Sequence, residues 1–99
     1  MALLYVAEFS TFAVDPNTGE AIAKVPPLAE YTVAMAGTSA AFGAATRFVR
    51  LNNDVTAPVQ VEFGPAPAIV AGSMRLAANQ TEYFGVNAGD KVTVAVAPA

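Results

Sequence analysis

The stretch from Arg75 to Val96, R-L-A-A-N-Q-T-E-Y-F-G-V-N-A-G-D-K-V-T-V-A-V, decides the fold class. Met74 and Leu76 lie to one side of a short β-prone run and Arg75 to the other, and Asn79-Gln80 interrupts it. From Thr81 to Val86, Glu82, Phe84 and Val86 oppose Thr81, Tyr83 and Gly85. Asn87-Ala88-Gly89-Asp90 then turns the chain into Lys91 to Val96, where Val92, Val94 and Val96 alternate with Lys91, Thr93 and Ala95. A period of two, broken by turn-forming residues every few positions, is the signature of a compact antiparallel sheet.

The same pattern extends upstream. Val59, Val61 and Phe63 alternate with Gln60 and Glu62, which predicts a strand with Gln60 on its solvent side, ended by Gly64-Pro65-Ala66-Pro67. Asn52-Asn53-Asp54 reads as a turn after the mixed run Arg47 to Leu51. Tyr31, Val33 and Met35 share one face of a half-buried strand, with Glu30, Thr32 and Ala34 opposite. Ala36 to Ala45 is rich in small residues and fits no template. Ala13 to Pro27, with its dense turn formers Asp15-Pro16-Asn17-Thr18-Gly19-Glu20, is expected to be a surface loop or an extended arm. About seven short strands without an amphipathic helix predict one all-β domain over residues 1–99, a small antiparallel β-sandwich or jelly roll with an N-terminal loop or arm over 13–27.

The strand Ala2 to Phe9 carries apolar side chains on both faces, Leu3, Tyr5 and Phe9 on one and Leu4 and Val6 on the other. A free monomer would leave one of these faces in water, so Leu3, Leu4, Tyr5, Val6 and Phe9 form the candidate interface of a homo-trimer or homo-dimer. Composition points the same way. Hydrophobic residues make up 55% of the 99 and charged residues 13%, about half the usual share of a soluble domain, although much of the apolar fraction is alanine.

The net charge is −3, and the basic residues Lys24, Arg47, Arg50, Arg75 and Lys91 are scattered, which argues against a nucleic-acid partner. No segment is long and apolar enough to span a bilayer, and the start of the chain lacks the positive region of a signal peptide, so a soluble, unexported chain is expected.

Missing residue types exclude most chemistry. With neither His nor Cys, the chain lacks the commonest general base, the commonest transition-metal ligand and the best nucleophile. A Ser-Lys couple would have to join Ser10, Ser39 or Ser73 to Lys24 or Lys91, and no motif does so; Glu62 and Glu82 are the obvious carboxylate pair. Asp15-x-Asn17-x-Gly19 echoes a calcium loop but has Glu20 where Gly belongs and Pro26 where the bidentate Glu belongs. Asn79-Gln80-Thr81 matches the glycosylation tripeptide, which is common by chance. Tyr5, Tyr31 and Tyr83 fall on separate predicted strands, whereas a sugar platform needs its rings together on one exposed face, so the aromatics are assigned to the core and a subunit interface. The expectation is a non-enzymatic chain with no catalytic or metal site, no cofactor and no small-molecule substrate.

Phe48 through Asn53, Glu62-Phe63-Gly64, Ser73-Met74, Asn79, Glu82-Tyr83-Phe84-Gly85-Val86 and Gly89-Asp90-Lys91-Val92, together with the opening Met1 to Glu8, resemble small virion proteins encoded among the structural genes of tailed bacteriophages. The resemblance implies a head decoration or cement protein, made in the host cytoplasm and placed on the outer capsid surface, where it clamps neighbouring subunits of the major capsid protein. The alternative it leaves open is a fibre, neck or head-surface recognition module that binds a host glycan or protein. It carries no functional residues over.

Overall fold

The computed structural model describes residues 3–14, 17–18, 21–23 and 26–97. Among these residues nine strands follow one another: β1 (Leu3–Phe9), β2 (Phe12–Val14), β3 (Ala21–Ala23), β4 (Ala29–Ala34), β5 (Phe48–Asn53), β6 (Val59–Gly64), β7 (Met74–Leu76), β8 (Thr81–Gly85) and β9 (Lys91–Val96). Seven of them make two antiparallel sheets, one in the order β4-β1-β5-β8 and one in the order β7-β6-β9, while among the described residues β2 and β3 pair only with each other. The all-β sandwich expected from the sequence is the fold of the chain.

The sheets meet on the alternating apolar residues. Leu4, Val6, Val33, Val49 and Leu51 from the four-stranded sheet close on Val59, Val61, Leu76, Val92 and Val94 from the other, and Phe42 completes the cluster. Tyr31, Met35, Phe63, Phe84 and Val86 pack at its margin. The faces assigned to β4 and to Phe84 and Val86 are therefore correct. Two side chains on the outer strands of the three-stranded sheet depart from expectation: Val96 on β9 is 49% exposed and Met74 on β7 is 46% exposed.

Of the loop or arm expected over 13–27, the described residues form a paired arm. Phe12 pairs with Ala23, Ala13 with Ile22 and Val14 with Ala21, so an antiparallel hairpin stands where turn formers alone suggested irregular chain. Three residues on either side of a six-residue connection are too few for periodicity to reveal.

The small-residue segment after β4 has a defined path. Ala36 adopts φ 63° and the Gly37 amide donates to the Ala34 carbonyl at 2.9 Å. A Cβ on Gly37 would lie 2.7 Å from that carbonyl oxygen, so only glycine fits the turn. The chain then runs beside β9: Ser39 N donates to Val92 O, Val94 N to Gly37 O, and Phe42 N to Asp90 O, at 2.8 to 3.1 Å. These bonds cover the outer edge of β9, an edge that would otherwise be open to pairing.

Asn52-Asn53 is a strand end rather than a turn. Asn53 is fully buried, and its Nδ2 donates to the carbonyls of Ala57, Leu76 and Ala77 while its Oδ1 accepts from Val55 N. One side chain thus closes the corner where β5 leaves the first sheet and β7 ends in the second. A buried amide is tolerated when its donors and acceptors are met, as here.

Candidate functional site

Two places on the fold concentrate polar chemistry, one inside and one outside. The inner one centres on Glu8, which is only 5% exposed. By parity Glu8 shares the inward face of β1 with Leu4 and Val6. Its Oε2 accepts from the Tyr31 hydroxyl at 2.6 Å, and its Oε1 accepts from Thr46 Oγ1 at 2.7 Å and Gly43 N at 3.0 Å. Burial alone would raise the carboxyl pKa, but the hydrogen bonds from Tyr31, Gly43 and Thr46 outweigh it and hold the group below its ordinary 4.5. Burial, and then the neighbouring carboxylate, push the Tyr31 phenol well above its usual range. Carboxylate and phenol lock β1, β4 and the 36–47 crossover together, and neither is placed to act on a substrate.

The outer site lies on the solvent side of the four-stranded sheet. The register aligns two rows across it: Glu30, Ala7, Arg50 and Tyr83, and beside them Thr32, Tyr5, Asn52 and Thr81. Ala7 is the one small residue in its row, and the gap over it is a shallow depression of about 260 Å³ walled by Tyr5, Glu30, Thr32 and Arg50. A second depression of about 340 Å³ lies along the other row between Tyr5, Arg50, Asn52, Asp54 and Thr81. Asn52 Nδ2 donates to Thr81 Oγ1 at 2.8 Å, which fixes the amide. Beside Tyr83 on the same face, the rings of Phe9 and Phe48 stack at 4.9 Å, and Phe48 meets Tyr83 at a tilt at 6.2 Å. This lateral contact leaves the Tyr83 residue 49% exposed.

The candidate interface drawn from β1 is divided by this arrangement. Leu4 and Val6 do not face a partner; they are 0% and 2% exposed in the chain's own core, because β1 lies in the middle of its sheet with the second sheet over one face. Phe9 is buried against Phe48. Leu3 is half-buried, and Tyr5, 41% exposed, reaches the outer surface.

The other candidates stay apart. Ser39 Oγ donates to Ala40 O and accepts from Val92 N, and Ser73 Oγ donates to Glu62 Oε2 and accepts from Val70 N. Both hydroxyls are engaged in holding loops, and Lys24 lies outside the described residues. Glu62 and Glu82 stand on different sheets. Of the calcium-like stretch, Asn17 sits in a turn, while Asp15, Gly19 and Glu20 lie outside the described residues. Asn79 is exposed in a left-handed turn at φ 59°.

The outer platform escaped the sequence reading, which kept the three tyrosines apart. A signal existed: Tyr5 and Tyr83 both oppose the core-facing parity of their strands. Only the order β1-β5-β8 brings them to one surface.

Comparison with known proteins finds no matching family model, no similar curated protein and no similar solved structure.

Proposed function

We propose that this chain is a structural, non-enzymatic binding protein of the capsid-decoration type, sitting on the outer head of a tailed bacteriophage and clamping neighbouring major capsid subunits as a homo-trimer or homo-dimer. The phage assignment rests on the sequence resemblance. The observation that best supports a clamping mode is the β2–β3 hairpin, a two-stranded sheet that, among the described residues, pairs with no strand of the sandwich. A hairpin with unpaired edges can extend a neighbour's sheet through main-chain hydrogen bonds, and β4 and β8, the outermost strands of the larger sheet, offer edges of the same kind. Such a grip needs no catalytic group and little charge.

The test is co-sedimentation with phage heads at graded salt, pH and urea, beside quantification of copies per particle. A decoration protein approaches the abundance of the major capsid protein, and an edge-and-apolar grip survives salt near 1 M, where the Debye length is only about 3 Å, yet yields to urea. Release by salt alone would replace this grip with contacts through the exposed Arg47, Arg50 or Arg75. A scarce copy number would favour the recognition-module reading, which the exposed Tyr5 and Tyr83 platform supports.

A further inference from the structure

We propose that the outer face of the β4-β1-β5-β8 sheet binds a neutral oligosaccharide, with Tyr5 and Tyr83 as stacking rings and Arg50, Asn52, Asp54 and Thr81 as its hydrogen-bonding groups. The site stands independently of the capsid-decoration reading.

Three observations carry it. The first is ring placement. Tyr5 pairs with Asn52 and Tyr83 with Arg50, so the two rings lie diagonally across β5 on one surface, 41% and 49% exposed. Phe48 lies beside Tyr83 on that face with its ring tilted against it at 6.2 Å, which restricts the Tyr83 ring before any ligand arrives. A tyrosine ring offers an apolar face to sugar C–H groups and a hydroxyl to their oxygens.

The second is the order of the polar groups. Glu30, Arg50 and Asp54 place an acceptor, a donor fork and an acceptor along the two depressions. Among the described residues Arg50 and Asp54 make no hydrogen bond or ion pair with one another or with other side chains, so both are available to a ligand. Vicinal hydroxyls both donate and accept, and therefore satisfy the guanidinium and the carboxylates together. A phosphate or an acidic chain would satisfy Arg50 but be repelled by Glu30 and Asp54, on a protein whose net charge is already −3. Charge complementarity thus selects a neutral, polyhydroxylated ligand.

The third is size and shape. The depressions of about 260 and 340 Å³ adjoin at Tyr5 and Arg50, forming two shallow subsites in line across the strands rather than one enclosed cavity. An extended chain of sugar rings fits consecutive open subsites, whereas a small drug-like molecule wants an enclosed pocket.

The experiment screens the full chain on an array of neutral and acidic glycans, then titrates ¹⁵N-labelled protein with a neutral hexasaccharide retained on the array. The expected result is retention of neutral glycans, with amide shifts confined to β4, β1, β5, β8 and the residues around Asp54. Tyr83→Ala and Arg50→Ala should each weaken binding roughly tenfold, Arg50→Ala with little change in the urea midpoint and Tyr83→Ala with the modest drop that losing its contact with Phe48 entails, and Arg75→Ala on the other sheet should leave binding unchanged. With no tryptophan in the chain, quenching of tyrosine fluorescence gives an independent readout that Tyr83→Ala should diminish. Retention of acidic glycans only, no retention of any neutral glycan, shifts centred elsewhere, or binding indifferent to both substitutions would each overturn the proposal.

Discussion

The two sheets treat their outward faces differently. On the three-stranded sheet, the outward residues Gln60 and Thr93 are 4% and 7% exposed, because loops fold back over them. Gln60 Nε2 donates to the carbonyls of Val70, Ala71 and Ser73, and Thr93 Oγ1 donates to Gly37 O while accepting from Thr38 Oγ1. On the four-stranded sheet, Tyr5, Arg50 and Tyr83 occupy equivalent outward positions and stay exposed. Strand parity tells which residues leave the core; whether they then meet water depends on where the loops return. Loops thus seal Gln60 and Thr93 on one outer face while Arg75 there stays exposed, and on the other face Ala7, Phe9 and Phe48 are covered while the patch around Tyr5, Arg50 and Tyr83 stays open.

The strongest test of this contrast begins beneath it. Leu4→Asp should unfold the chain, since it places a carboxylate at a position with no exposure, at a cost of several kcal/mol against a total stability of roughly 5–15 kcal/mol. Circular dichroism would show lost β signal. A folded variant that merely changed its oligomeric state would return β1 to the role of an interface.

Next in size is Asn53→Ala. Three carbonyls and the Val55 amide lose their partner in a fully buried corner, and a loss of about 3 kcal/mol or more in urea unfolding is expected. Gln60→Ala follows at about 1–3 kcal/mol, since the carbonyls of Val70, Ala71 and Ser73 lose their shared donor. That revises the small cost the sequence suggests for a solvent-side glutamine. A Gln60→Ala cost below about 0.5 kcal/mol would mean that the 65–73 loop does not seal this face in solution.

Acid probes the contrast through Glu8. Its carboxyl pKa is depressed in the folded chain, so the stability it contributes is present above about pH 4.5 and is lost as pH falls through the lower folded value. Unfolding followed from pH 7 to pH 2 should show this decline, and Glu8→Gln should flatten it while lowering stability at neutral pH. An unchanged slope in that variant would assign the acid sensitivity to other carboxylates.

The class of fold and the inward faces of β4, β6 and most of β9 follow from period-two alternation, because burial on one side imposes that period. What escaped had non-local causes. Asn53 looks like a turn residue, and only the convergence of the β5 and β7 ends supplies its three acceptors. Glu8 breaks an apolar run, and the partners that satisfy it, Tyr31, Gly43 and Thr46, arrive from distant chain. The β2–β3 hairpin is too short to show a period. The outer platform needed the strand order β1-β5-β8, which no local pattern encodes.

The smallest expected effect is the most discriminating. Arg50→Ala on the open face removes a side chain with no partner among the described residues, so its cost should stay within about 0.5 kcal/mol, well below that of Gln60→Ala on the closed face. The measurement is urea unfolding at two protein concentrations far apart. A loss above about 1 kcal/mol at both concentrations would mean that the chain's own residues cover Arg50, and the two outer faces would no longer differ. A loss that appears only at the higher concentration has a separate meaning, because stability gained by association grows with protein concentration by mass action. In that case a second copy covers the face, and the Tyr5 and Tyr83 platform is a subunit contact rather than a surface for sugar.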